Sequence, residues 1–127
     1  MKLQLQNNQI TRLHSEEIVE IGDGFLDYNR TLTSLDLPSV QRIGHGFLQA
    51  NETLTTLSLP SVKFIGDWFL RCNRTLTTLS MPGVQRIGDF FLCNNETLTT
   101  LSMPMVHSIG GWFLCCNLHI NRWDYLP

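Results

Sequence analysis

Charge is scarce in this chain and has no direction: 16% of its 127 residues are charged, the formal net charge is −2, and no cluster of lysine or arginine occurs. The electrostatic footprint of a nucleic-acid binder is therefore missing, and no nucleic-acid partner is expected. Uninterrupted apolar stretches last only a few residues, far short of the roughly 20 that span a bilayer as a helix. Residues 1–10 carry polar side chains where a secretory signal would carry its apolar run. The four cysteines, Cys72, Cys93, Cys115 and Cys116, lack any CxxC spacing, which fits neither a disulfide scaffold nor a zinc ribbon. Buried free thiols are the expectation, and with the missing signal they favour the cytoplasm or a Sec-independent route of export. What the chain does have is apolar material, 43% of its residues, enough for the core of one domain spanning 1–127.

That material is periodic. Leu35-Asp36-Leu37-Pro38, Leu57-Ser58-Leu59-Pro60, Leu79-Ser80-Met81-Pro82 and Leu101-Ser102-Met103-Pro104 recur at a step of 22 residues. Val40, Val62, Val84 and Val106 keep the same step, as do Ile43, Ile65, Ile87 and Ile109, each followed by glycine. So do Phe25 to Phe113 and Asn29 to Asn117. A fixed period of this size predicts a solenoid. Ile10, Leu13, Ile18, Ile21 and Phe25 occupy the matching columns of a degenerate first repeat, whereas Ile120, Trp123 and Tyr125 fall on the columns of Leu98, Leu101 and Met103. The reading is an N-terminal cap at 1–9, five repeats at 10–119 and a capping strand at 120–127. A two-unit repeat is superimposed, since 30–73 and 74–117 match at roughly 30 of 44 positions. It places Arg30, Glu52, Arg74 and Glu96 in one column, where alternating charges meet at about 4.8 Å and favour register.

Within a unit, Leu54 to Leu59 alternates apolar residues with Ser or Thr, the pattern of a half-buried strand, and Pro60 ends it because proline donates nothing to a ladder. Gly66-Asp67 then reads as a turn and cap before Trp68-Phe69-Leu70, a run suited to one helical or 3₁₀ turn. Asp23, Asp67 and Asp89 share a column and read as helix-start caps. The asparagine column is expected to be buried and to satisfy its amides along the stack.

The unit LxxLxLPxVxxIGxxFLxxNxT resembles the leucine-rich repeats of the BspA-like type. It departs from that family in a stretch after proline that is one residue shorter, and in asparagine where cysteine is common. The resemblance implies an α/β solenoid, a right-handed leucine-rich repeat with a parallel β-sheet on one face and short helical or 3₁₀ turns on the other. It also implies a recognition scaffold of secreted, microbial surface and host-directed proteins, with no catalytic residues.

Function is sought where the columns vary. The sheet face presents Thr33, Ser34 and Asp36 and their equivalents, a Ser/Thr surface without the Trp, Tyr or Arg that carries binding energy; because leucine-rich repeats often bind through this face, the resemblance keeps it as the second candidate surface. One column instead reads Gly24, Gly46, Trp68, Phe90, Trp112, with Phe64 a turn away from Trp68. These four aromatics are the candidate partner-binding residues, because aromatic side chains bring large contact area at low entropic cost. The competing reading has the rings finishing the core, and the glycines of the earlier coils argue against it. The four Asn-x-Thr triplets match the glycosylation sequon but follow from a structural asparagine and a strand-entry threonine. His14, His45, His107 and His119 fall in four different columns, and no GxSxG, HExxH or phosphate-cradling loop occurs. Cys93 and Cys115 share a column on adjacent coils, so geometry permits a disulfide without requiring one, and Cys115, Cys116, His107 and His119 lack the paired spacing of a structural zinc site. The expected function is thus non-enzymatic binding of a protein partner, without metal or cofactor. The alternative is a structural or self-assembling element in which the same column or an open end pairs with another copy.

Overall fold

The computed structural model describes residues 10–114, together with the backbone of two strands outside that range, at 2–3 and 122–125. In chain order the strands are β1 (Lys2–Leu3), β2 (Arg12–His14), β3 (Glu20–Ile21), β4 (Ser34–Asp36), β5 (Arg42–Ile43) and β6 (Thr56–Ser58). The second half continues with β7 (Phe64–Ile65), β8 (Thr78–Ser80), β9 (Arg86–Ile87), β10 (Thr100–Met103), β11 (Ser108–Ile109) and β12 (Arg122–Tyr125). All pairings are parallel, and all but one join residues a full repeat apart, as Leu35 to Leu57 and Ile43 to Ile65. The sequence period is therefore the pitch of a parallel β-solenoid. Only β1 departs from it, pairing Lys2 with Glu20. At the other end Trp123 pairs with Leu101 and Tyr125 with Met103, the register that the column alignment expects. Ile120 lies outside the described residues.

Two faces carry the strands. The Leu-x-Leu pattern builds the first, as β2-β4-β6 and β12-β10-β8, and the ladder lapses between β6 and β8. Leu57 is half-buried beside the lapse, whereas Leu35, Leu79 and Leu101 are fully enclosed. Thr55-Thr56-Leu57-Ser58 and Thr77-Thr78-Leu79-Ser80 are identical, so nothing in the two segments accounts for the lapse. The second face is a continuous six-stranded ladder, β1-β3-β5-β7-β9-β11, which sequence reading treated as the approach to a turn. In β3, β5, β7, β9 and β11 the isoleucine packs on the core, and Glu20, Arg42, Phe64, Arg86 and Ser108 form the outward column.

No helix occurs among the described residues, which corrects the expected helical or 3₁₀ turns. In the third coil Trp68, Leu70 and Cys72 have φ of 62°, 53° and 58°, so alternate residues are left-handed and no helical hydrogen bond forms. Their N–H groups donate instead between coils: Trp68 to Asp89 O, Leu70 to Phe47 O and Cys72 to Cys93 O, each at 2.9 Å. A run of three apolar residues is too short to nucleate a helix against that alternative.

Each column of the repeat has a mechanical reason. Phe25, Phe47, Phe69 and Phe91 are buried and stack at 5.1–5.4 Å between ring centroids, continuing to Phe113 at 5.7 Å. The glycine after each isoleucine is required by close approach: a Cβ on Gly66 would lie 2.8 Å from the Gly44 carbonyl carbon and from His45 Nδ1. The aspartates do not begin helices. Asp23 Oδ1 accepts the His45 N–H, Asp67 Oδ1 the Asp89 N–H and Asp89 Oδ1 the Gly111 N–H, all at 2.8 Å and each one coil away. His45 takes the same role with Nδ1, which accepts the Asp67 N–H at 2.8 Å.

Asn29, Asn51, Asn73 and Asn95 are at most 1% exposed. Asn51 Oδ1 accepts the N–H groups of Thr53 at 3.0 Å and Leu54 at 2.7 Å, an Asx turn that starts the next strand segment. The threonine two residues on donates its hydroxyl to the preceding coil, Thr53 to Leu32 O at 2.7 Å. Both sequon side chains are thus consumed by the fold. Asn95 departs from the pattern, turning its amide so that Nδ2 donates to Leu70 O at 2.7 Å.

In the column of Arg30, Glu52, Arg74 and Glu96, one neighbouring pair approaches within ion-pair range, Arg74 and Glu96 at 3.9 Å, and both side chains are exposed. Cys93 is disulfide-bonded to a partner outside the described residues, a correction to the expected buried free thiols. Equivalent positions on adjacent coils lie about 4.8 Å apart, inside the Cα window of a disulfide. Cysteine usage therefore no longer favours a reducing compartment. Cys72 is the free cysteine among the described residues.

Candidate functional site

The column Gly24, Gly46, Trp68, Phe90, Trp112 begins each turn segment, and its backbone is left-handed throughout, with φ from 58° to 71°. Glycine occupies that conformation without strain, whereas an L side chain costs on the order of 1–2 kcal/mol. The last three coils nevertheless carry aromatics there. The repeat step aligns their rings along the solenoid axis, whereas Leu70 and Leu92, two residues on and equally left-handed, are buried. Trp68 and Phe90 stack at 3.9 Å with 1° between planes, and Phe90 and Trp112 at 6.1 Å with 3°. Stacking half-buries Trp68 and Phe90, while Trp112 at the end of the row is 69% exposed.

Arg71 closes the other end of the row, its guanidinium 4.7 Å from the centroid of Trp68, a cation–π contact. The space it uses exists because Gly46 contributes no ring to the preceding coil. Beside Gly46 lie two polar groups instead, the Gln49 amide and the Asp27 carboxylate, 3.0 and 3.5 Å from where its Cβ would stand. Asp27 Oδ1 accepts the Gln49 N–H at 3.3 Å and Oδ2 the Gln49 amide at 3.4 Å. Burial holds the Asp27 carboxyl above its ordinary value, with the two Gln49 hydrogen bonds opposing. Tyr28, the next residue, is exposed.

Phe64 stands apart from this row. It belongs to the outward column of the second sheet, between Arg42 and Arg86, with the Arg42 guanidinium 4.8 Å from its centroid. It lines a shallow groove with His45, Asp67 and the two arginines. The structure therefore brings Trp68, Phe90 and Trp112 into one row and sets Phe64 in a second feature. Sequence reading missed the two arginine contacts, although the repeat step alone places Arg42 beside Phe64, and Arg71 is three residues beyond Trp68.

The Ser/Thr face offers less. Thr33, Thr55 and Thr99 donate their hydroxyls to Thr11 O, Thr33 O and Thr77 O in the preceding coil. His14 Nδ1 and Asp36 Oδ2 lie 2.9 Å apart, and Ser58 is the next residue in their column. A hydrolytic triad needs histidine between the serine and the acid, and the coil order puts aspartate there. Groups of three or more metal-ligating side chains do not occur among the described residues, and Cys115, Cys116 and His119 lie outside them. No helix among the described residues is long and apolar enough to cross a membrane. No family model, curated protein or solved structure matches the chain.

Proposed function

We propose that the chain is a right-handed leucine-rich-repeat solenoid of the BspA-like type that acts as a non-enzymatic recognition scaffold and binds a protein partner through Trp68, Phe90 and Trp112. The exposure of Trp112 at the end of a continuous aromatic row carries this reading. Exposed aromatic rows supply contact area at low entropic cost and tend to mark interfaces. Gly24 and Gly46 in the same column support it, since those coils stack without a ring there and the column is not needed for the core. Phe64, between its arginines, is the second candidate contact. The test is a pull-down with mass spectrometry that compares the native chain with a Trp68→Ser/Phe90→Ser/Trp112→Ser variant whose fold is checked by circular dichroism. Loss of a specific partner by the folded variant is the expected result; a partner retained by it removes the row from the site.

A further inference from the structure

We infer that the groove beside Phe64 binds a partner segment in polyproline II conformation that carries a carboxylate at every third residue. The inference rests on the reading of the chain as a recognition scaffold and gives its second candidate contact an occupant; the aromatic row takes no part in it.

The ridge along this groove is basic on an acidic chain. Its outward column reads Glu20, Arg42, Phe64, Arg86, Ser108, and the column one residue earlier contributes Lys63. Three of the nine lysines and arginines therefore gather here against one of the eleven acidic residues. Glu20 pairs with Arg42 in register, yet the Arg42 guanidinium lies over Phe64 and forms no ion pair with it. The ion pairs among the described residues join His14 to Asp36, His45 to Asp67 and Arg74 to Glu96. Arg42, Lys63 and Arg86 are thus exposed with no described carboxylate in ion-pair range. Asp67 is the one carboxylate that lines the groove; it stands on the opposite wall beside His45, and its Oδ1 accepts the Asp89 N–H. Between the walls run Gly44, Gly66 and Gly88, which put no side chain in the way of an incoming backbone.

Spacing selects the conformation of the occupant. Arg42 and Arg86 stand two coil steps apart, about 9.6 Å at about 4.8 Å a step. A polyproline II helix has three residues per turn and rises about 9.3 Å in that turn, so every third side chain returns to one face at the spacing of the two cations. An extended strand returns to one face every about 6.8 Å and an α-helix every about 5.4 Å, and neither step divides the interval. Phe64, midway between the arginines, then meets the proline rings between the carboxylates, the contact by which aromatic-lined grooves hold such segments. Arginine suits the carboxylates because its planar fork engages both oxygens at once.

The test is a two-dimensional NMR titration of the isotope-labelled chain with a peptide of four Asp-Pro-Pro repeats, carried to about 1 mM, where weak complexes form. Peptides of equal length built from Lys-Pro-Pro and from alternating Asp-Pro are the controls. The native chain is compared with Arg42→Gln, Arg86→Gln and the Trp68→Ser/Phe90→Ser/Trp112→Ser variant, each checked for fold by circular dichroism. The expected result is saturable binding of the Asp-Pro-Pro peptide, with shifts centred on residues 42–45, 64–67 and 86–88. Each arginine substitution weakens it about three- to fivefold, the scale of an exposed ion pair, and the folded triple variant binds as the native chain does. The lysine peptide does not bind, and the alternating peptide binds more weakly. No binding at 1 mM, equal binding of the two acidic peptides, arginine variants that bind as the native chain does, or loss of binding in the folded triple variant each overturns the inference. The pull-down separates this failure from that of the scaffold reading: a native partner lost by the triple variant, beside an acidic peptide that does not bind, keeps the row as a binding surface and ends the inference alone.

Discussion

Asn51→Ala probes the buried asparagine column directly. The native side chain is fully enclosed, and its Oδ1 satisfies the N–H groups of Leu54, which is buried, and Thr53, which is half-buried. Alanine removes the acceptor of both N–H groups at once. A buried donor left without a partner costs about 1–3 kcal/mol, and a half-buried one about 1 kcal/mol, so the substitution is worth about 2–4 kcal/mol. Single domains hold about 5–15 kcal/mol in total, so this is a large share. With a urea slope of about 2 kcal/mol/M, the unfolding midpoint falls by on the order of 1–2 M. Equilibrium urea unfolding followed by circular dichroism measures it, and Glu52→Ala, one residue on and exposed, is the control, expected within about 0.5 kcal/mol of the native chain. An Asn51→Ala midpoint indistinguishable from that of the control would refute the claim that the buried Asx turn of each coil stabilises the fold.

Two further outcomes follow from distances and burial. Gly66→Ala places its Cβ 2.8 Å from the backbone of the preceding coil and lowers stability by about 1–3 kcal/mol. Gly83→Ala, whose Cβ meets nothing nearer than 3.6 Å, is neutral or stabilises by up to about 1 kcal/mol; equal thermal midpoints for the two variants contradict the close-approach account. Because burial raises the Asp27 carboxyl in the folded state, the folded chain holds that proton more tightly than the unfolded one. The associated stability is present below the unfolded value and is lost as pH rises through the folded value. Asp27→Asn is therefore expected to gain on the native chain in urea midpoint between about pH 3 and about pH 7, and a loss over that interval contradicts the sign.

The period, the register and the core columns were legible because each coil repeats the same contacts, so Leu35, Val40, Ile43 and Phe47 could be assigned to the interior by alignment alone. The turn segment was not. Trp68-Phe69-Leu70 has the composition of a helical turn, and its conformation is decided by partners 21 to 23 residues away that accept and donate hydrogen bonds between coils. No local propensity records that competition. The two-residue strands of the second face were missed for the same reason, being too short for an alternating pattern. In the candidate site, the three outward aromatics were visible as a column, whereas the separation of Phe64 depends on which face of the coil its strand occupies. Cys93 shows the opposite case, in which alignment made a disulfide geometrically available and a prior about free thiols pointed away from it.

The central claim is that the 22-residue repeat is the pitch of the solenoid, which stacks the outward aromatics of adjacent coils into a single row. The most direct measurement is a nuclear Overhauser spectrum of the assigned chain, read for ring and amide contacts between residues 22 apart. The account predicts contacts from Trp68 to Phe90 and from Phe47 to Phe69, together with inter-coil contacts at Leu70 and Cys72. Sequential helical contacts through residues 68–72, or aromatic rings at 68 and 90 without mutual contact, would contradict it.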